Sequence, residues 1–118
     1  MTPFSGVVGK GALVTLPATQ LAAKFSSLSA SLLAHYDATG ATTGVKLQVG
    51  VSIDEGTSFS DFADLATVAP AANSASPVVS QQYVALDQYK AADALQFRLV
   101  NLDATNDATV TVEVREAA

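Results

Sequence analysis

Asp54, Glu55, Asp61 and Asp64 form the densest group of potential ligand atoms in the chain. Four carboxylates so close together could feed oxygen to Ca²⁺, which takes about 6 to 8 such ligands. Their spacing matches no calcium loop, and solvated acids at the end of a β domain account for them. His35 is the single histidine and cysteine is absent, so neither a multi-histidine metal site nor a thiolate site can be built. With Tyr36 and Asp37 beside it, His35 reads as a polar residue near a strand end. Tyr83, Tyr89 and Phe97 could form a platform for stacking a sugar, but tryptophan is absent and aromatics total 7%, which favours packing in a core or interface. No catalytic residue, cofactor site or metal site is expected, and the chain reads as a non-enzyme.

The sharpest local pattern is Ser52, Asp54, Gly56 and Phe59, which fit SxDxGxxF. A carboxylate at the second position can accept N–H bonds across a tight turn, glycine supplies a backbone conformation closed to other residues, and the aromatic can cap the edge of a core. The pattern resembles the Asp-box hairpin of sialidases and many unrelated β proteins, with Phe59 where that motif carries Trp. The resemblance implies a structural turn, and a single copy without an arginine cluster gives no support to sialidase activity.

Such a turn must be held by strands. Val45, Leu47, Val49, Val51 and Ile53 alternate with Lys46, Gln48, Gly50 and Ser52, the period of a half-buried strand. Leu95 to Leu99 and Val110 to Val114 alternate likewise, with Asp103 to Asp107 between them as a polar hairpin turn. Shorter strands are expected at Ala12 to Leu16, ended by Pro17, and at Phe62 to Val68. A strand at Val78 to Leu86 slips phase around Gln81 to Tyr83, which suggests a bulge. Thr19 to Tyr36 carries both periods: Leu21, Phe25, Leu28 and Leu32 suit a helix, while Leu28 to Tyr36 suits a strand. Its four serines weaken a helix, so strands at Leu21 to Phe25 and Leu28 to Tyr36 are preferred, with helix as the alternative. Asp37 to Gly44 would then close a hairpin onto the Val45 strand. Pro70 to Pro77 reads as a loop and Asp87 to Asp93 as a connector. Residues 1 to 11 contain Pro3 and three glycines, so they read as an irregular arm in which Phe4, Val7 and Val8 contact another subunit, ahead of one domain over residues 12–118. About eight short strands and no firm helix make the chain all-β, an antiparallel β-sandwich or jelly roll.

Composition narrows the partners. The 118 residues carry a net charge of −5, which argues against a nucleic-acid binder. Residues 1–53 hold three lysines against one aspartate, a balance of +2, and residues 54–118 hold three basic against ten acidic residues, −7. No apolar run approaches the roughly 18 residues of a membrane span, and no export signal is read at the start. Charged residues are only 14% of the chain, low for a freely soluble surface, which hints at assembly.

The run VGVSIDEGTSFSDFADLATV, followed by QQYVAL, QFRLVNL and ATVTVEVRE, resembles small β-sandwich virion proteins of tailed bacteriophages over about residues 12 to 116. That resemblance implies a capsid decoration or cement protein on the shell surface, made in the host cytoplasm and bound to the major capsid protein and to itself, as a homotrimer. It carries over no catalytic residues. A head-tail or tail accessory protein and a carbohydrate-binding or adhesive module are the alternatives.

Overall fold

The period-2 stretches all become strands in the computed structural model, which describes residues 2–21, 27–36, 43–68, 78–89 and 91–117. Nine strands lie among them: β1 (Phe4–Val8), β2 (Leu13–Thr15), β3 (Thr19–Gln20), β4 (Ser27–Tyr36), β5 (Val45–Ser52), β6 (Ala63–Val68), β7 (Val78–Ala85), β8 (Ala94–Asn101) and β9 (Ala108–Ala117). A single 3₁₀ turn, Asp87–Tyr89, lies in the expected connector.

They form two antiparallel sheets, one in the order β1-β9-β4-β7 and the other β2-β8-β5-β6, with β3 also on β8. Four pairings, β1 with β9, β2 and β3 with β8, β4 with β7, and β5 with β6, are the rungs of one long ribbon. Two further pairings, β4 with β9 and β5 with β8, fold that ribbon back on itself. Alternate rungs thereby fall in opposite sheets, which is the wrapping of a jelly roll. β2 and β3 act as one interrupted strand. Pro17 lies in the gap between them, while Leu16 stays tied to β8 through its N–H to the Phe97 carbonyl at 2.9 Å.

The core fills the space between the sheets. Leu28, Ala30, Leu32, Ala34 and Tyr36 of β4, Val45, Leu47 and Val49 of β5, Leu95, Phe97 and Leu99 of β8, and Val110, Val112 and Val114 of β9 are all buried. For Thr19 to Tyr36 the strand reading holds over Ser27–Tyr36, where every alternate residue turns inward. The expected strand at Leu21 to Phe25 lies mostly outside the described residues.

Several local expectations fail, each for a physical reason. β4 and β5 belong to opposite sheets and so are not the two arms of the expected hairpin, while most of Asp37 to Gly44 itself lies outside the described residues. β8 and β9 are also in opposite sheets, and Asp103 to Asp107 arches from one to the other. In both cases the apolar faces of successive strands meet across the core instead of lying side by side. No bulge interrupts β7, whose register against β4 is continuous from Val78 to Ala85. Its phase slips because it is an edge strand: Gln82 lies opposite buried Leu32 yet remains exposed, so no apolar side chain is needed there. The register shift falls instead between β5 and β6, where Leu65 is the extra residue. Val51 is half-buried against the core, and Ile53 is 84% exposed because the chain leaves the ladder at Ser52.

The irregular arm is corrected as well. Phe4–Val8 forms five paired positions with β9, Val8 is fully buried, and Phe4 packs against the core. The glycines of residues 1 to 11 therefore do not prevent a strand, because β9 offers a free edge on which to pair. Of its apolar side chains Val7, 62% exposed, points away from the core.

One end of the sandwich is closed by a buried polar latch. Asn101, 1% exposed, accepts the Tyr36 hydroxyl at 2.8 Å and donates to the carbonyls of Val8, Gly9 and Asn106. It thus joins both sheets and the 102–107 arch. Burial, and then the negative charge of Asp103, push the Tyr36 hydroxyl up to about 12. Burial works to raise the Asp103 carboxyl, but hydrogen bonds from Thr105 and Asn106 outweigh it and leave it below the usual carboxylate value. Replacing Asn101→Leu keeps the approximate volume and orphans its partners, so stability should fall by about 1 to 3 kcal/mol for each buried group left unpaired. Phe97→Ala should cost about 3 to 5 kcal/mol. Urea unfolding measures both, and an unchanged midpoint for Asn101→Leu would show that the latch is dispensable.

Candidate functional surfaces

The turn after β5 is built by its own side chains. Ser52 Oγ donates to Asp54 Oδ1 at 2.7 Å and accepts the Gly56 N–H at 2.9 Å. Asp54 in turn accepts the Ser58 N–H at 2.9 Å and the Ser58 hydroxyl. These bonds force a tight reversal in which Glu55 (φ 61°) and Gly56 (φ 91°) both sit in the left-handed region. The Glu55 N–H is held by Asp93 Oδ2 at 3.0 Å, which fastens the turn to the start of β8. Hydrogen bonds from Ser58, side chain and backbone, and from Ser52 lower the Asp54 carboxyl to about 2.

Phe59 is half-buried and lies outside the side chains packed on the core. Phe62 covers the sheet instead. A side chain at Gly50 would stand 3.0 Å from the Ser60 carbonyl and 3.5 Å from the Phe62 ring, so glycine lets the returning segment lie flat on β5. In the sequence Phe62 reads as the start of a strand, and its place over Gly50 has no motif to announce it.

Beside it the outer face of the second sheet holds a closed polar network. The Arg98 guanidinium lies 4.2 Å from the Phe62 ring centroid, Arg98 Nε donates to Gln48, and Gln48 donates to Asp64 at 2.7 Å. Lys46 reaches Asp64 at 3.6 Å. The Gln48 hydrogen bond, followed by Lys46, holds the Asp64 carboxyl below its usual value. Asp54 and Asp64 thus spend their oxygens on separate neighbours. Among the described residues no group of three acidic or histidine side chains is placed to hold a metal ion.

The three aromatics do not share a platform. Phe97 is fully buried, Tyr89 packs against the core, and Tyr83 is 68% exposed on the outer face of the first sheet. There Tyr83 of β7 stands opposite Ser31 of β4, which stands opposite Glu113 of β9; one step along, Ser29 faces Arg115. These side chains line a shallow depression of about 240 Å³. His35 lies on the same face of β4, half-buried.

A third surface is the edge formed by β1 and β2, the outermost strands of the two sheets on one side. Val7 projects from β1 and Leu13, 52% exposed, from β2, with Leu102 also exposed beyond the end of β8. Of the arm residues Phe4, Val7 and Val8, only Val7 is placed to meet another molecule.

No family model and no curated protein matches the sequence. Among solved structures, one of the infectious bursal disease virus Gt strain aligns with a TM-score of 0.52 at 10% identity, over 94% of this chain and 30% of that one. A family 16 carbohydrate-binding module-2 aligns at 0.50 and 9% identity, over 95% of this chain and 76% of that one. The infectious bursal disease virus VP2 subviral particle gives 0.49 at 11% identity, over 97% and 31%. The chain thus spans about three tenths of the viral chains it matches. At such identities the likeness is one of fold: a β-sandwich shared with part of a chain of the virus structure and with a carbohydrate-binding module.

The turn makes two predictions. Gly56→Ala should destabilise by more than about 1 kcal/mol because φ is positive. Asp54 has its carboxyl lowered on folding, so its contribution is full above about pH 4 and is lost as pH falls toward about 2. Asp54→Asn should therefore lower the melting temperature at pH 6, with the gap to the parent protein closing across that window. A gap that is unchanged at pH 2 would remove Asp54 from the turn's support.

Proposed function

We propose that this chain is a non-enzymatic structural component of a tailed-bacteriophage particle, a capsid decoration protein that binds the major capsid protein and its own copies as a homotrimer. The observation that carries the reading is the β1–β2 edge. β1 and β2 are the outermost strands of their sheets, and each carries an exposed apolar side chain, Val7 on the outer face of the first sheet and Leu13 on that of the second. An edge with unpaired strand groups and outward apolar side chains is the kind of surface that seeks a partner. The low charge of the chain supports the same reading, since little like-charge repulsion opposes close packing of copies. The resemblance of its strand and turn sequences to small phage virion proteins supplies the particle.

A decoration protein works by repeated area. Each subunit buries modest surface at every contact, and symmetry multiplies weak contacts into stable binding. The acidic half of the chain faces solvent or a basic capsid patch in this arrangement, because packaged DNA would repel it.

Labelled protein mixed with undecorated heads should bind saturably at symmetric lattice positions and raise the heat resistance of the shell. A Val7→Asp, Leu13→Asp double variant should keep its β circular-dichroism spectrum and bind at least about tenfold more weakly, about 1.4 kcal/mol. Binding that is absent in the parent protein, or unaffected by the double variant, would reject this reading.

A further inference from the structure

We propose that the depression on the outer face of the first sheet is a binding site for an uncharged saccharide, with the Tyr83 ring as its stacking wall. The site follows from register. Ser31 on the central strand β4 lies between Tyr83 on β7 and Glu113 on β9, and Ser29 lies beside Arg115. Small side chains form a floor and long ones form two walls. The outer two backbones are two strand spacings apart, roughly 9 to 10 Å, which admits one flat ring between the side chains.

The chemistry of the lining selects the ligand. An aromatic face that is 68% exposed offers apolar contact to the C–H face of a ring. Serine hydroxyls both donate and accept, the Glu113 carboxylate accepts, and the Arg115 guanidinium donates. These are the complements of a row of hydroxyl groups. One acid and one base cancel, so the site carries no net attraction for a charged ligand. Among the described residues no hydrogen bond or ion pair engages the side chains of Tyr83, Glu113 or Arg115, which leaves them available.

An extended peptide fits less well. Such ligands bind sheets by adding a strand at an edge, and the floor here is β4, whose backbone is paired on both sides by β9 and β7. Recognition must therefore come from side chains alone. The volume of about 240 Å³ is below the roughly 300 to 1,000 Å³ of pockets that enclose whole drug-sized ligands, so it suits a ring or two of a longer chain. This inference is independent of the virion reading.

The test is a titration of ¹⁵N-labelled protein with neutral xylo-, cello-, manno- and chito-oligosaccharides, with heparin as an anionic contrast. At least one neutral probe should bind saturably, with shifts centred on Ser29, Ser31, Tyr83, Glu113 and Arg115. Tyr83→Ala should weaken binding about tenfold and Tyr83→Phe much less, since the ring supplies the contact. Both variants should keep the parent's melting temperature, because Tyr83 is largely exposed. Absence of binding by every neutral probe, shifts centred elsewhere, equal binding by Tyr83→Ala, or a preference for heparin would each overturn the proposal.

Discussion

The structure depends on one long-range constraint: β4 must lie between β9 and β7, which come from later and separate parts of the chain. With that placement the inward residues of β4 meet those of β5 and β8 across the core. Without it the ribbon of paired strands would have no reason to fold back. Five alternating residues of β4, from Leu28 to Tyr36, are buried together, and burial of such side chains is the dominant favourable term. Most contacts of this kind are distant in sequence, so the fold must pay its loop-closure entropy before the core rewards it.

The two ends of the sandwich solve the same problem differently. At the end where Val45 pairs with Asn101 the chain passes between sheets from β1 to β2 and from β8 to β9, and buried backbone groups there need partners. The Asn101 amide supplies both a donor and an acceptor there, serving Tyr36 from one side and the carbonyls of Val8 and Gly9 from the other. At the opposite end, where Ser52 pairs with Ala94, β5 returns directly as β6 and the turn is solvent-exposed. Local side-chain bonds from Ser52, Asp54 and Ser58 suffice, and Asp93 pins the reversal to β8.

The outer surfaces of the two sheets differ in what they leave open. The outer face of the second sheet is occupied by its own network of Arg98, Gln48, Asp64 and Lys46, with Phe62 laid over the arginine. The outer face of the first sheet is open at Tyr83, and the β1–β2 edge is apolar at Val7 and Leu13. An edge suited to assembly and a face suited to a ligand do not compete, because one uses backbone and apolar side chains while the other uses side chains over an interior strand.

The sequence by itself determined where the strands lie. Period-2 alternation marks a half-buried strand wherever it occurs, and it placed β5, β8 and β9 directly; the serines of β4 tipped an ambiguous segment the same way. It also displayed the turn, since Ser52, Asp54 and Gly56 act within a few residues of one another. Alternation does not say which strand is the partner, because an apolar face is satisfied equally by a neighbour in its own sheet or by one across the core. That is why a hairpin is expected between β4 and β5 although they lie in opposite sheets, why Asp103 to Asp107 reads as a hairpin and is an arch between sheets, and why residues 4 to 8 read as an arm and are a strand on β9. Asn101 had no signal in sequence, being a lone polar residue at a strand end until three distant groups, on Tyr36, Val8 and Gly9, converge on it. The depression at Tyr83 was equally hidden. Ser31, Tyr83 and Glu113 become neighbours only through the register of β4 with two strands far along the chain, and register is fixed by the whole core and not by any local pattern.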